Sequence, residues 1–299
     1  MPIIVIMTGI TIAIASGKGG TGKTFISTNL FNSLQDSRLS IALVDCDAEA
    51  PNDREFLKEG VLQSSHAVNQ KIPVIDKTKC TYCGKCDEYC NFNAIFFLEE
   101  PQTIEVLEDL CHGCGACSVA CEYGAISEKD DLLGYVNRYR FSTGKELIEG
   151  RMEVGVLVSV GIIKESIKMA EPFDLVLLDS PPGTGCPFIQ TVYKSDYVVL
   201  VTEPTPFGLS DLKQSVAILK EMGIPCGVII NRADMGTDDA QNYLKRENIP
   251  LLMSVPFDKE IAVAYSKGEM ITNLSTEWKA KFNQLYHTIK EEFEKNKAK

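Results

Sequence analysis

The sequence of 299 residues lacks a basic excess, a long apolar segment and a secretion signal. Lys and Arg number 30 against 41 Asp and Glu, a formal charge of −11. This balance argues against nucleic acid as a partner, because DNA and RNA binding requires a basic patch. No stretch reaches the roughly 20 apolar residues that span a bilayer. No cationic segment precedes an apolar run and a cleavage site, so we expect a cytoplasmic protein in a reducing compartment.

Eight of the eleven cysteines form two sets with the same spacing, C-x2-C-x2-C-x3-C, and each member recurs 31 residues later. The first set is Cys80, Cys83, Cys86 and Cys90, and the second is Cys111, Cys114, Cys117 and Cys121. This is the spacing of bacterial two-cluster ferredoxins, in which three thiolates hold one cubane and the fourth crosses to the other. The pattern therefore predicts two [4Fe-4S] clusters, with Cys121 completing the first site and Cys90 the second.

Zinc and disulfides are the other chemistries of clustered cysteines. Zinc ribbons pair C-x2-C knuckles without a third cysteine two residues later, and disulfides require an oxidising compartment. Both fit this spacing less well than iron–sulfur clusters do. Outside the two sets, we expect Cys46, Cys186 and Cys226 to be buried small apolar residues, because the later part of the chain has no C-x2-C pair.

A second motif, G-x4-G-K-[ST], follows a predicted strand at residues 11–16 and precedes a predicted helix at residues 25–34. Its members are Gly17, Lys18, Gly19, Gly20, Thr21, Gly22, Lys23 and Thr24. In such a P-loop the backbone N–H groups surround phosphate, the lysine neutralises its charge and the hydroxyl binds Mg²⁺. Because a predicted strand precedes this motif and a predicted helix follows it, the sequence predicts a nucleotide-binding site here.

The extra lysine, Lys18, gives this loop a family resemblance. The sequence K-G-G-T-G-K-T resembles the deviant Walker A motif of the MinD, ParA, Mrp and nitrogenase iron protein ATPases. The resemblance implies ATP hydrolysis in a homodimer that sandwiches the nucleotide. It also implies that Lys18 reaches the partner's nucleotide and stabilises transition-state charge, so that Lys18 and Lys23 are catalytic.

Two further motifs resemble the switch segments of this family. The sequence D-C-D is similar to switch I and implies that Asp45 lies near Mg²⁺, that Asp47 positions the attacking water, and that Asn52 is the switch I asparagine. The sequence D-S-P-P-G-T-G resembles switch II and implies that Asp179 holds Mg²⁺ through water and Gly183 senses the γ-phosphate. Carboxylates at strand ends also serve as helix caps and turn residues. The implied magnesium residues are Thr24, Asp45 and Asp179.

The end of the chain carries the expected base-binding residues. Asn231 resembles the family's base-reading asparagine, and the V-P-F-D segment with Pro256 and Asp258 resembles the loop over adenine. The sequence N-R-A-D also approximates the guanine-reading N-K-x-D, but the family resemblance favours ATP. The closing helix has one apolar face, and its mixed charges favour docking on the core over a membrane.

Alternating strands and helices predict a doubly wound, mostly parallel α/β P-loop fold with an inserted small α+β ferredoxin-like domain. We expect ATPase segments at residues 1–70 and 132–299 and the insert at residues 71–131. From residue 76 to 131 the insert holds 12 acidic residues against 4 lysines, which suits a basic redox partner.

The leading functional hypothesis is an ATPase that couples nucleotide turnover to electron transfer through two [4Fe-4S] clusters. One alternative is an ATP-gated assembly factor that delivers a cluster or metallocofactor to an apo-acceptor protein. A second alternative is a ferredoxin-type binding module with a nucleotide-controlled dimer switch.

Overall fold

The structure is a computed structural model that describes residues 9–297. The first eight residues of the predicted first ATPase segment and the last two of the second lie outside the described residues. The chain divides into two compact units. Unit 1 comprises the chain up to Ser65, Val136–Arg151 and the chain from Ile163 onward, and unit 2 comprises His66–Tyr135 and Met152–Ile162. The predicted insert, residues 71–131, falls within unit 2.

Eleven strands are present in the described part of the chain. They are β1 Ile10–Ala15, β2 Ile41–Asp45, β3 Val61–Ile75, β4 Ile95–Leu98, β5 Thr103–Val106, β6 Ile126–Arg140, β7 Glu146–Met152, β8 Leu175–Asp179, β9 Tyr197–Thr202, β10 Cys226–Asn231 and β11 Leu251–Val255.

The described part of the chain, residues 9–297, also contains eleven α-helices. They are α1 Lys23–Ser33, α2 Asp53–Phe56, α3 Lys85–Glu88, α4 Ala116–Ala120, α5 Val160–Ala170, α6 Cys186–Val192, α7 Pro206–Met222, α8 Asp239–Glu247, α9 Lys259–Ser266, α10 Ile271–Leu274 and α11 Thr276–Lys297.

Nine strands form one sheet in the order β11-β10-β9-β1-β8-β2-β7-β6-β3. The pairs from β11 to β7 are parallel. Every residue of β2, β8 and β9 is buried, which explains why these strands read as continuous apolar runs instead of alternating patterns. The mostly parallel α/β fold predicted from the sequence is thus present, and the carboxyl ends of its central strands meet at one edge.

The core of unit 1 includes α1 and the closing helix α11. Phe25 of α1 lies edge-to-face with Phe282 of α11, with ring centroids 5.8 Å apart. The apolar face of α11 is buried and comprises Trp278, Phe282, Leu285, Ile289 and Phe293. This face is covered by the chain itself, as the docking interpretation expects. No helix within residues 9–297 has the length and apolarity to cross a bilayer.

Unit 2 contains a two-stranded antiparallel sheet, β4 with β5, and the short helices α3 and α4. A small apolar cluster includes Ile95, Ile104, Cys86 and Cys117. The two cysteine sets lie in this unit, so its core is built largely around them.

Candidate functional site

The P-loop joins β1 to α1 and leaves unpaired donors at the start of the helix. Gly22 is the N-cap of α1 at φ 99°, and it offers no side-chain cap to the first N–H groups. The hydroxyl of Thr21 is buried without a hydrogen-bond partner in the described residues. Free N–H groups and an orphaned hydroxyl at a helix N-terminus fit a bound phosphate.

Gly22 is also the point where the end of β10 approaches the loop. A Cβ at Gly22 would lie 2.5 Å from Asn231 Nδ2. That amide group donates to the carbonyl of Thr21 at 2.8 Å. The predicted base-reading asparagine therefore braces the P-loop, and only glycine fits beside it.

Lys23 is buried inside the loop with an exposed fraction of 8%. Its Nζ donates to Ser16 Oγ at 3.1 Å. Burial lowers the pKa of Lys23, and the nearby Asp179 and Asp47 carboxylates oppose that change. A buried ammonium without a direct carboxylate partner is suited to an incoming phosphate.

The hydroxyl of Thr24 joins the two switch segments. Its Oγ1 lies 2.9 Å from Asp179 Oδ2 and 3.1 Å from Asn52 Oδ1. Three oxygen-bearing side chains thus converge beside the phosphate site, and oxygen ligands are those that Mg²⁺ prefers. Thr24 and Asp179 are 155 residues apart in the chain, and the pairing of β1 with β8 brings them together.

Asp45 holds the switch I turn in place. Its Oδ2 accepts the N–H groups of Asn52 at 2.9 Å and Asp53 at 3.0 Å, and its Oδ1 accepts that of Asp47 at 3.1 Å. Burial raises the pKa of Asp45 well above its usual value, and the charge of Asp179 adds to the effect. Asp45 orders the loop through its backbone, while Asp47 lies close enough to Lys23 for the two charges to interact.

A row of buried carboxylates crosses three neighbouring strands. Glu149 of β7, Asp45 of β2 and Asp179 of β8 are register partners, and Asp53 of α2 is buried among the same charges. Both oxygens of Asp53 and one each of Glu149 and Asp179 have no hydrogen-bond partner in the described residues. Burial raises the pKa of Asp179 to about 6, although Lys23 opposes the shift. Such a row is costly to ionise without a cation nearby.

The sequence did not identify Glu149 or Asp53 as part of this row. Glu149 lies beside Asp45 because β7 pairs with β2, and no local sequence pattern predicts that pairing. Asp53 follows Asn52 directly and reads as an ordinary first-turn helix residue. Asp53 is completely buried, and the sequence around a single acidic residue does not reveal whether that residue is buried.

The remaining predicted nucleotide residues lie at strand ends and loops. Gly183 has φ 92°, a conformation that favours glycine. Asp258 caps α9 by accepting the N–H of Glu260 at 2.7 Å, and Pro256 precedes the N–H of Phe257, which donates to Asp234 Oδ1 at 2.6 Å. These bonds fix the loop after β11 and leave open which base it contacts.

The two cysteine sets line two small cavities of similar size, both partly open to solvent. The cysteines of the first cavity are Cys90, Cys111, Cys114 and Cys117. The cysteines of the second cavity are Cys80, Cys83, Cys86 and Cys121. Each cavity thus takes three cysteines from one set and the fourth from the other.

The backbone around the cavities repeats with the sequence. The first cysteine of each set accepts an N–H from two residues on, Tyr82 to Cys80 and Gly113 to Cys111. The fourth accepts an N–H from four residues on, Ala94 to Cys90 and Ala125 to Cys121, both at 3.3 Å. Three pairs of equivalent positions have positive φ, namely Tyr82 and Gly113, Gly84 and Gly115, and Asn93 and Gly124. The 31-residue repeat is therefore a structural repeat.

Within residues 9–297, no three His, Cys, Asp or Glu side chains are arranged to hold a single metal ion. Four cysteines line each cavity, and four thiolates are the donor set that a [4Fe-4S] cluster takes.

The three other cysteines lie in unit 1 and differ in exposure. Cys46 is buried, Cys226 is partly buried and Cys186 is exposed at the start of α6. Burial raises the pKa of Cys46 and raises that of Cys226 to about 11. The expectation that all three are buried is therefore wrong for Cys186, which directly follows the exposed Gly185 of the switch II segment.

A family model described as the CobQ/CobB/MinD/ParA nucleotide binding domain matches residues 12–271. An uncharacterized protein of Methanocaldococcus jannaschii is 31% identical over 282 residues, covering 94% of this chain and 95% of that protein. An iron-sulfur cluster carrier protein of Rickettsia conorii is 30% identical over 269 residues, covering 89% of this chain and 66% of that protein.

Solved structures share the fold at low identity. The septum site-determining protein MinD of Pyrococcus horikoshii, solved with Mg-ADP, has a TM-score of 0.57 at 20% identity and covers 93% of this chain and 94% of its own. A ParA family ATPase of Chlorobium tepidum has a TM-score of 0.56 at 14% identity, with coverage of 93% and 98%. Together with the P-loop geometry, the family match identifies the chain as a P-loop ATPase of the CobQ/CobB/MinD/ParA nucleotide-binding family.

Proposed function

We propose that this ATPase holds two [4Fe-4S] clusters in unit 2 and couples ATP turnover to electron transfer through them. The observation that carries the proposal is the crossed set of four cysteines around each cavity. Three-plus-one ligation of two cubanes is the arrangement of two-cluster ferredoxins. When bound, the clusters would supply one-electron transfer to the protein.

The chain's own residues support resident clusters. Cys86, Cys111 and Cys117 are buried, and N–H groups point at the sulfurs of Cys80 and Cys111. Hydrogen bonds to thiolate sulfur stabilise its negative charge and tune the potential of a cluster. Burial raises the pKa of the Cys86 thiol to about 11, so iron binding must displace the proton of this thiol.

The ATPase residues have separate roles in the proposal. The P-loop amides and Lys23 bind the phosphates, while Thr24 and Asp179 hold Mg²⁺, directly or through water. Asp47 positions the attacking water and Gly183 senses the γ-phosphate. The chain runs from Asp45 of switch I through unit 2 to Asp179 of switch II. The proposal is that a nucleotide-driven movement of either switch reaches the segments that lead to the cysteines.

The partners follow from charge and from the family. We propose an ATP-bound homodimer and a basic redox protein as electron partner, since the acidic balance of residues 76–131 speeds association with a basic surface. ATP is the proposed nucleotide, read by Asn231 and by the loop containing Pro256 and Asp258.

A cluster carrier is the second candidate, and the named relatives favour it. The iron-sulfur cluster carrier protein of Rickettsia conorii matches 89% of this chain at 30% identity. Cys83 and Cys114 occupy equivalent positions in the repeat and are both exposed, so an acceptor's thiolates have access to one ligand of each cavity. In this role the cluster is the cargo, and an apo-acceptor replaces the redox partner.

One anaerobic experiment separates the two functions. Protein loaded with iron and sulfide, then reduced with dithionite and freed of the excess, is mixed with ATP and either a basic electron acceptor or an apo-ferredoxin. Bound iron and the redox state are followed together. Electron transfer predicts that the iron stays bound while the acceptor is reduced, at an ATPase rate that depends on redox state. Loss of iron to the apo-protein, accelerated by ATP, supports the carrier instead.

A further inference from the structure

The second lysine of the P-loop is engaged by a carboxylate. Lys18 Nζ lies 3.3 Å from Glu203 Oε2. Glu203 directly follows β9, and its side chain is only 12% exposed. An ion pair that is partly removed from water interacts more strongly than a surface pair, so Lys18 is held on the β9 side of the loop.

The same carboxylate binds a second cation. Arg232 Nη1 lies 2.5 Å from Glu203 Oε1, so each carboxylate oxygen faces one positive group. Arg232 follows the end of β10 in a left-handed conformation at φ 51°, and its N–H donates to Asn231 Oδ1 at 3.0 Å. Asn231 in turn braces the P-loop through Thr21. The pair of cations on Glu203 is therefore attached to the loop at two points.

The two P-loop lysines are consequently in different states. Lys23 is buried and hydrogen-bonded only to Ser16 among the described residues, ready for phosphate. Lys18 is instead engaged by Glu203, whose negative charge competes with that of a phosphate for this lysine. Arg232 remains on Glu203 when the lysine leaves, which keeps the buried carboxylate paired and makes the departure less unfavourable.

We propose that Glu203 is a positioning residue that holds Lys18 away from the nucleotide, and that phosphate and Glu203 compete for this lysine. Arg232 sets the balance, because a carboxylate already paired with arginine holds lysine less firmly. The proposal concerns the ATPase reaction alone and does not depend on the cysteine cavities. Its failure would therefore leave the proposed cluster function intact, and the reverse also holds.

The test compares two variants with opposite expected effects on kcat/KM for ATP. Glu203→Gln removes the competing charge and is expected to raise kcat/KM about fivefold. Arg232→Gln leaves Glu203 with Lys18 as its sole partner and is expected to lower kcat/KM by a similar factor. Glu247→Gln, which removes the ion pair with Lys220 on the surface, is the matched control and is expected to change nothing.

The decisive measurement repeats both variants in a Lys18→Met background, at the residual rate of hydrolysis, with the dissociation constant for Mg-ATP measured in every variant as a readout that does not need hydrolysis. If Glu203 acts through Lys18, both effects disappear there, because a double-mutant cycle isolates the coupling between two side chains. A merely structural ion pair would lower kcat/KM in both variants, with or without Lys18. That outcome, or an effect of either variant that persists in Lys18→Met, overturns the proposal. Should Glu203→Gln not fold, Arg232→Gln decides by the same criterion.

Discussion

The charges at the nucleotide site are unbalanced at the level of single residues. Four carboxylates, those of Asp45, Asp53, Asp179 and Glu149, are buried near one another. Lys23 is a buried cation whose charge acts on Asp179, and the exposed Arg151 pairs with Glu149 at 3.0 Å. Protons or a bound cation must offset this charge, since ionised carboxylates are otherwise expensive to bury. The metal-free protein therefore responds to pH in a defined way.

Asp179→Asn tests that response in EDTA without nucleotide. The pKa of Asp179 is raised from 3.8 to about 6, so its protonated form stabilises the fold at low pH and that stability is lost as pH rises through about 6. The variant should match the parent near pH 4 and exceed it by about 3 kcal/mol in free energy of unfolding at pH 7 to 8. Denaturant titrations across this range measure the difference, and a constant gap would contradict the assignment.

Two P-loop glycines provide a second prediction on single residues. Gly20 and Gly22 both have positive φ, but a Cβ at Gly20 meets nothing within 4 Å, whereas one at Gly22 meets Asn231 Nδ2. Gly22→Ala must displace the amide that bonds Thr21, so it should lower the free energy of unfolding by about 1 kcal/mol more than Gly20→Ala does. Thermal unfolding without nucleotide compares the two. Equal losses would mean that Asn231 moves freely.

At the scale of elements, the cysteine unit is built from two copies of one loop and helix. Helices α3 and α4 begin after Gly84 and Gly115, at φ 73° and 71°, and each leads to the fourth cysteine of its set. The chain then carries that cysteine to the other cavity. Cys90 therefore shares a cavity with Cys114, and Cys121 shares one with Cys83.

This exchange predicts which cysteine variants resemble each other. Cys90→Ser should change the same cluster signal as Cys114→Ser, and Cys121→Ser the same signal as Cys83→Ser, when the reduced protein is measured by low-temperature spin resonance. The four serine variants act as controls for one another. If Cys90→Ser instead resembled Cys83→Ser, each set would hold its own cluster and the crossed arrangement would be wrong.

Local sequence patterns made the fold of the ATPase unit and much of its nucleotide site predictable. The P-loop follows a buried parallel strand, and Asp45 and Asp179 are the last residues of two others. A strand followed by a turn and a helix is encoded within about 20 neighbouring residues. The predicted strand and helix around the P-loop exist, with modest shifts such as that of α1, which begins at Lys23 and not at residue 25.

Contacts that depend on the pairing of strands distant in the chain could not be predicted from the sequence. Lys18 and Glu203 are far apart in the chain and meet because β9 lies beside β1. Glu149 reaches Asp45 through the pairing of β7 with β2. Burial and register arise from the whole sheet, so no local pattern in the sequence indicates these contacts.

At the scale of the whole molecule, one chain contains an ATPase unit and a cysteine-containing unit. The family resemblance implies that the ATPase acts as a homodimer. Asp47→Ala is expected to slow hydrolysis and retain ATP, so sedimentation should show a dimer with ATP and a monomer with ADP. Adding Lys18→Ala should weaken that dimer, because the lysine then no longer reaches the second nucleotide. A monomer under all conditions would exclude the sandwiched nucleotide.

Metal content measured with ATPase activity on the same anaerobic sample tests the central claim most directly. Two cubanes predict about eight irons and eight sulfides per chain in protein that also hydrolyses ATP. Zinc in place of iron, or about four irons in fully loaded protein, would contradict it.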